Sequence, residues 1–370
     1  MKTTYRGIGV MSGTSMDALD LAWCTFTEEE KRYTFSLDLA EAIPIEPEWK
    51  ARLIHLPSQS AEVFAKTHVY FGHWMGKTIR SFIDRHNLSP DFVAAHGQTI
   101  FHRPYKTYTV QIGDGETVVS YLPCPLVTNF RNKDVALGGE GAPLVPIGEK
   151  FLFPDHELFL NLGGISNLSY QGKAFDISPC NLLLNHIYTS RFPEHITDFD
   201  PEGNYARKGM LHTDLLEALD HLDFYSQPYP KSLGWEWVEE VVLPLIDQYN
   251  YPPEDILHTC THHIAGQIAA AVHAVGAKSR KMLTTGGGRH NLFLVECLEK
   301  SLRPVDVTLD TGVSDEIVDF KEAIVFGFLG LRTLTGKTTT LSSVTGAKSD
   351  LVTGSIHLPP GGGFSLFRKS

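Results

Sequence analysis

The sequence predicts an α/β fold made of two copies of one unit, with a cleft between their facing surfaces. Two observations predict it. The order strand, turn, strand, strand, helix is read in residues 5–86 and returns from residue 157 onward. The chain is also 370 residues long, more than one hydrophobic core comfortably organises, so two domains are expected.

In the first copy, Tyr5–Met11 is an apolar strand, and Asp17–Phe26 alternates with Leu19, Leu21 and Trp23 on one face. Tyr33–Ile43 is the third strand. A helix is expected from about Ser60 to His86, where Val63, Val69, Trp74, Ile79 and Phe82 recur at roughly helical spacing, followed by a short buried strand, Phe92–Ala95. The second copy has strands at Glu157–Asn161, Asn167–Gln171 and Lys173–Ile177, with a Gly163-Gly164 turn after the first. Ser178 as cap and Pro179 at the first position then open a helix. Further on, "THHIAGQIAAAVHAVG" is a helix, "KMLTTGGG" a strand running into a glycine turn, and "RHNLFLVECLEKSL" another helix. The Gly- and Pro-rich stretch from Asn129 to Phe153 is expected to cross between halves. The domains are therefore placed at 1–130, joined by a C-terminal segment from about 345 to 370, and 131–344.

Composition narrows the function. Hydrophobic residues make up 42% of the chain and charged ones 20%, the balance of a globular domain rather than a disordered one. A net charge of −11 without any clustered basic run disfavours nucleic acid as a partner. The five cysteines are odd in number and lack C-x-x-C spacing, as expected of reduced thiols in the cytoplasm. No apolar run reaches the length of a membrane span, and Ser12 and Asp17 interrupt the N-terminal one too early for a signal-peptide core.

Three turns with glycine follow apolar strands: Ser12-Gly13-Thr14-Ser15, Gly163–Ser166 and Thr284–Gly288 with Asn291 just beyond. Any one is ordinary hairpin chemistry. Together, in a duplicated fold, they can aim backbone amides at a polyphosphate, and Gly286, Gly287 and Gly288 leave room for a flat base or ribose. The phosphate loop that uses G-x-x-x-x-G-K-[ST] is excluded, because the lysine is absent. Asp17 and Asp20 follow the first turn. They are either solvated strand carboxylates or, for Asp17, a water-mediated contact to Mg²⁺.

Asp176, in "AFDISPCN", ends an apolar strand near a helix start. Burial raises its pKa and a helix dipole lowers it. Two readings stand: a general base for a hydroxyl or water, or an acceptor for turn amides. "HGQTIFHRP", "TVQIGDG" and "NFRNKD" collect polar residues at strand ends, making His96, Gln98, Arg131 and Asp134 candidates for binding a sugar or carboxylate. Backbone satisfaction is the competing reading, stronger for Asp134 than for Arg131. Glu322, in "DFKEAIVFGFLGLR", either reaches the cleft or flanks the buried face of its helix. His258 and His262 lie one helical turn apart with no H-E-x-x-H or cysteine cluster, and read as a surface or helix-start pair rather than a zinc site.

The ordered set "GVMSGTSMDALD", "HGQTIFHRP", "QIGDG", "NFRNKDVALGGEGAPLVP", "NLGGISN", "FDISPCN", "TGGGRHN", "DFKEAIVFG" and "VTGA" resembles the anhydro-N-acetylmuramic acid kinases of bacterial cell-wall recycling. The resemblance runs from end to end. It implies a two-lobed actin-like sugar kinase fold of the duplicated, ribonuclease H-like type. It also implies ATP and Mg²⁺ as cofactors, a homodimer, and hydrolytic opening of a 1,6-anhydro sugar with phosphorylation of O6. By the same resemblance the residues Ser12, Gly13, Thr14, Ser15, Met16, Asp17, Ala18, Leu19 and Asp20 fall on the ATP motif. Asp176 falls on the base that deprotonates the attacking water. The chain departs from the family pattern at Ala18, at Ile177-Ser178 beside Asp176, at Asn185 and at Glu140. Those departures leave open a kinase for a related hexose or amino sugar; a nucleotide-binding regulator without turnover is the third reading.

Overall fold

A computed structural model describes residues 2–13, 16–171, 173–192, 194, 197–228, 231, 233–277, 280–310 and 312–361. Thr14 and Ser15 of the expected ATP motif lie outside the described residues, as does the end of the chain from 362.

By contact the chain divides into Met1–Pro154 with Phe320–Ser370, and Asp155–Asp319. The expected boundaries at 130/131 and 344/345 both fall inside the first unit as contacts divide it. The stretch Asn129–Phe153 forms two short helices, Asn132–Ala136 and Val145–Leu152, that belong to that unit.

In the first unit, strands β1 (Lys2–Ser12), β2 (Ala18–Glu29) and β3 (Arg32–Pro44) form an antiparallel meander. Strand β4 (Phe92–Ala95) runs parallel to β1. The pair β5 (Gln98–Arg103) and β6 (Tyr108–Ile112) makes a separate hairpin, and β7 (Leu126–Thr128) is parallel to β4. The second unit repeats the plan. Strands β8 (Leu158–Leu162), β9 (Ile165–Tyr170) and β10 (Lys173–Pro179) form an antiparallel meander, and β11 (Arg280–Thr285) and β12 (Val307–Asp310) add in parallel. Strand β13 (Ser355–His357) closes the first sheet against β7. The orders β7-β4-β1-β2-β3 and β12-β11-β8-β9-β10 are one topology read twice.

Alternation along β1 explains its burial on both faces. Ile8 and Val10 pack with Phe71, Met75, Ile79 and Phe82 of the helix Ala61–Arg85. The other face offers Gly7 and Gly9, and at Gly9 the backbone lies directly against the helix Lys321–Leu334. Ser60 caps the Ala61–Arg85 helix by accepting from the Val63 amide at 3.3 Å. Val69, expected on its apolar face, is 37% exposed, because the buried stripe runs through Phe71, Met75 and Ile79 instead.

Two helix starts differ from expectation. Ser178 and Pro179 are the last residues of β10, paired with Ser166 and Ile165 after a bulge, and the helix is Asn181–Arg191. Its first amides are satisfied by the glycine turn: those of Cys180 and Leu182 donate to Gly164 O at 2.8 and 3.0 Å, and that of Asn181 to Gly163 O at 3.1 Å. The helix expected at Thr261 begins earlier and runs Pro253–Ala274, with Pro253 in the first turn followed by Glu254 and Asp255. Among the described residues no helix is long and apolar enough to cross a membrane.

Candidate active site

The first unit contributes two groups of residues. At the end of β1, Ser12 is buried and its hydroxyl donates to Gln98 Oε1. Residues expected for different ligands are thus bonded to each other. Met16 adopts the left-handed conformation, φ 56°, and its amide returns to Gly13 O at 3.2 Å, closing the turn. Strand β2 starts at Ala18, so Asp17 lies in the turn rather than on the strand, with its carboxylate exposed and paired to Lys50 Nζ at 2.6 Å. Ala18 and Asp20 share a half-buried face, whereas Leu19 is wholly buried in the core. The Leu19 side chain therefore cannot touch a nucleotide.

An exposed pair such as Lys50–Asp17 is worth little, about 0–1 kcal/mol. One exposed carboxylate beside a hydroxyl-rich turn fits Mg²⁺ that keeps its waters and is held chiefly by phosphate oxygens. It does not fit a protein-caged ion, and among the described residues no group of three or more His, Cys, Asp or Glu side chains could hold one.

The second group surrounds Arg131. Its Nε donates to His96 Nε2 at 2.9 Å and its Nη1 to Gly141 O at 2.7 Å. Because Arg131 can only donate, His96 Nε2 must be the acceptor, and the proton sits on Nδ1, which donates to Gly97 O at 2.8 Å. Burial first, and the Arg131 charge second, push the His96 pKa down to about 3, so the ring is neutral. Burial lowers Arg131 to about 10 while Glu322 opposes the shift, leaving a cation at neutral pH. Its Nη2 donates to no described residue. Glu322 is exposed in the first turn of Lys321–Leu334, and Phe326 one turn later packs on His96 at 4.8 Å between ring centroids.

Asp134 is a correction. It is fully buried, with Oδ2 accepting from the Gly141 amide and Oδ1 from Thr345 Oγ1, each at 2.8 Å. Both oxygens are taken up in holding the loop that presents Gly141 to Arg131. A cavity of about 320 Å³ adjoins His96 within this unit, lined also by His68, Gln111, Asp114, Asn129 and His357. Sequence reasoning missed His68 and His357, which lie on a helix face and in a late strand with no motif around them.

The second unit holds Asp176 on β10, the edge strand of its sheet. Its neighbours Phe175 and Ile177 are buried in the core and Asp176 is half-buried. The bulge between Asp176 and Ser178 sets the strand's local twist at this residue. The Leu233 amide donates to Asp176 Oδ2 at 2.9 Å. Among the described residues Oδ1 has no partner. Burial raises the carboxyl's pKa and the Leu233 bond partly offsets it. Such a group, oriented at one oxygen and open at the other, suits proton abstraction.

The glycine turns differ in what they can offer. The Gly163 and Gly164 carbonyls are committed to the helix start, and a Cβ on Gly164 would come within 2.8 Å of Leu182. Gly286 has φ 85°, and a Cβ there would meet Asn161 Oδ1 at 2.4 Å, so glycine is required. Gly288 is packed against Leu162, whereas a Cβ on Gly287 would make only an ordinary contact, with Asn181 Nδ2 at 3.9 Å. Asn291 caps the helix Leu292–Leu302, accepting from the Leu294 amide at 3.0 Å. His258 and His262 are half-buried in mid-helix, not at a helix start. They bond to Ala206 O at 2.9 Å and lie 3.7 Å from Cys297 Sγ, respectively.

A duplicated meander with parallel additions is the sheet plan of the actin-like class of α/β folds. The family model described as anhydro-N-acetylmuramic acid kinase matches residues 5–359, and the chain belongs to that family. It is 32% identical over 371 residues to the anhydro-N-acetylmuramic acid kinase of Coxiella burnetii, covering 95% of this chain and 97% of that protein. Identity to the Pseudomonas syringae pv. syringae enzyme of the same description is also 32%, over 95% and 98% of the two chains. Among solved structures, the activator of the 2-hydroxyisocaproyl-CoA dehydratase from Clostridium difficile is similar at a TM-score of 0.39 and 10% identity. That likeness covers 92% of this chain and 99% of that one, and carries no functional argument.

Proposed function

We propose that this protein is an ATP-dependent kinase that opens 1,6-anhydro-N-acetylmuramic acid with water and phosphorylates O6, giving N-acetylmuramic acid 6-phosphate. The observation that carries the reading is the family match over residues 5–359. In the reaction, Asp176 takes a proton from water as its oxygen bonds to the anomeric carbon. The C1–O6 bond breaks, and O6 attacks the γ-phosphorus in line, releasing ADP. The turns at residues 12–20, Gly163-Gly164 and Gly286–Gly288 are assigned to the nucleotide, with Gly287 offering the most open backbone and Asn291 fixing the following helix. Mg²⁺ with ATP supplies charge neutralisation at the phosphates, and Asp17 would reach it through water. A homodimer in the cytoplasm belongs to the same proposal and rests on the family alone.

His96, Gln98, Arg131 and Glu322 are assigned to the sugar. Arg131 already spends two of its five N–H donors on His96 and Gly141, which orients the others, those on Nη2 among them, for the lactyl carboxylate. Arg131→Lys should therefore raise KM for the sugar on the order of 10–100-fold, the worth of a hydrogen bond to a charged group, with kcat much less affected. A steady-state comparison checks this.

Incubation with ATP, Mg²⁺ and the anhydro sugar in oxygen-18 water tests the reaction itself. The expected product gains one water and one phosphoryl group, with the label on the anomeric carbon. A phosphorylated sugar without label would assign the chain to ordinary hexose kinases instead. The departures at 177 and 178 do not favour that alternative: Ile177 is in the hydrophobic core, and Ser178 is buried with its hydroxyl 2.9 Å from that of Ser166.

A further inference from the structure

Strand β10 is an edge, yet its Asp176 is not left to solvent. The Asp176 amide donates to Lys231 O at 3.0 Å, and two residues later the Leu233 amide donates to Asp176 Oδ2. Residues 231 and 233 therefore grip Asp176 by backbone and side chain together. Position 231 is itself anchored. The Lys231 side chain is 8% exposed, and its ammonium donates to Phe224 O at 2.9 Å and Tyr225 O at 3.3 Å. The same ammonium lies 4.4 Å from the Phe224 ring centroid. Tyr225 is fixed in turn, its hydroxyl 2.8 Å from His263 Nε2, while His263 Nδ1 meets Asp220 Oδ1 at 2.6 Å.

A buried ammonium is costly unless its donors are satisfied. Here two carbonyls and an aromatic face satisfy it, and none of these groups belongs to the nucleotide turns. We infer that Lys231 is a positioning residue for Asp176, anchoring the chain at position 231 so that the Leu233 amide holds one carboxylate oxygen and leaves the other aimed for proton transfer. The inference rests on the reading of Asp176 as the base. The lysine acts through the backbone it anchors: burial raises the Asp176 carboxyl and the Leu233 bond lowers it.

The test uses the full chain and three variants. Lys231→Met removes the anchor, Lys231→Arg keeps a cation that can donate to the same carbonyls, and Leu233→Pro deletes the amide donor without touching the lysine. For Lys231→Met, kcat is expected to fall roughly 3–10-fold, the worth of one orienting hydrogen bond, with KM for ATP unchanged. The acid limb of kcat should move to higher pH, because the bond that favours the ionised carboxylate is lost. Lys231→Arg should restore part of kcat and the limb, and Leu233→Pro should reproduce the Met phenotype. If Lys231→Met fails to fold, Leu233→Pro and Lys231→Arg decide alone. An unchanged pH profile in both Lys231→Met and Leu233→Pro, or a rise in KM for ATP with Lys231→Met, would overturn the inference. Turnover that survives in Asp176→Asn would instead remove the reading beneath it.

Discussion

An Asp176→Asn enzyme is expected to bind ATP as the unaltered chain does and to lose turnover by roughly 10²–10⁴-fold, the usual cost of removing a general base. Asparagine has the same shape, and its carbonyl can still accept the Leu233 amide that now reaches Oδ2. The grip of residues 231 and 233 is therefore kept, and only the ability to take a proton is lost. The pH dependence gives a second check. Burial holds the Asp176 carboxyl above its ordinary value, so the fraction ionised, and kcat with it, should fall as pH drops through that raised value. The acid limb should accordingly lie at higher pH than for an exposed aspartate, and Asp176→Asn should lack it. Turnover measured by ADP release, beside ATP affinity by calorimetry, separates the roles. A matching loss of nucleotide affinity would make Asp176 a structural acceptor.

The duplicated meander was legible because its strands alternate strongly. Leu19 and Leu21 are core residues while Ala18 and Asp20 sit on the other face, as period two requires. Helix starts were less legible because caps need not be local. "Ser178-Pro179" carries the composition of a helix start, but the Ser178 hydroxyl is taken up by Ser166 across the hairpin, and the amides it would have capped reach the Gly163 and Gly164 carbonyls. At residue 253 the sequence does carry a start signal, since "PPED" places Pro and two acids in the first turn.

For the candidate site, sequence named residue types well and their partners poorly. Arg131 and His96 stand far apart in the chain, and only β4 ending at Ala95 beside β7 brings their loops together. Asp134 and Asn291 have the right chemistry for ligands, yet Asp134 spends it on the Gly141 amide and the Thr345 hydroxyl and Asn291 on a helix cap. Lys231 had no motif to announce it. Its part depends on the Phe224 and Tyr225 carbonyls of the short helix Asp223–Ser226, which side-chain patterns do not encode.

Gly9→Ala should be among the most destabilising single-methyl additions in the first unit, and Gly327→Ala, on the facing helix, nearly neutral. A Cβ on Gly9 would lie 1.8 Å from Ala323 O and 2.7 Å from the Gly327 amide nitrogen, both backbone atoms that no rotamer change can move. A Cβ on Gly327 would meet Gly9 Cα and N at 3.3 Å, which asks the strand to give by only a few tenths of an ångström, and alanine favours the helix by about 1 kcal/mol. Overpacking of the first kind costs about 3 kcal/mol. That loss lowers Tm by roughly 6–12 °C for a unit of this size, measurable by thermal denaturation. The helix is poorly placed to yield. Lys321 at its start is held by Glu149 in a buried pair at 2.9 Å, and Phe326 is wedged between His96 and Phe130. Strand β1 must therefore give way, and it ends at Ser12, whose hydroxyl is bonded to Gln98. Gly9→Ala should consequently raise KM for ATP or sugar even at temperatures where the variant remains folded, and Gly327→Ala should leave both unchanged. Equal Tm losses in the two variants would mean that the helix, not the strand, accommodates the methyl group.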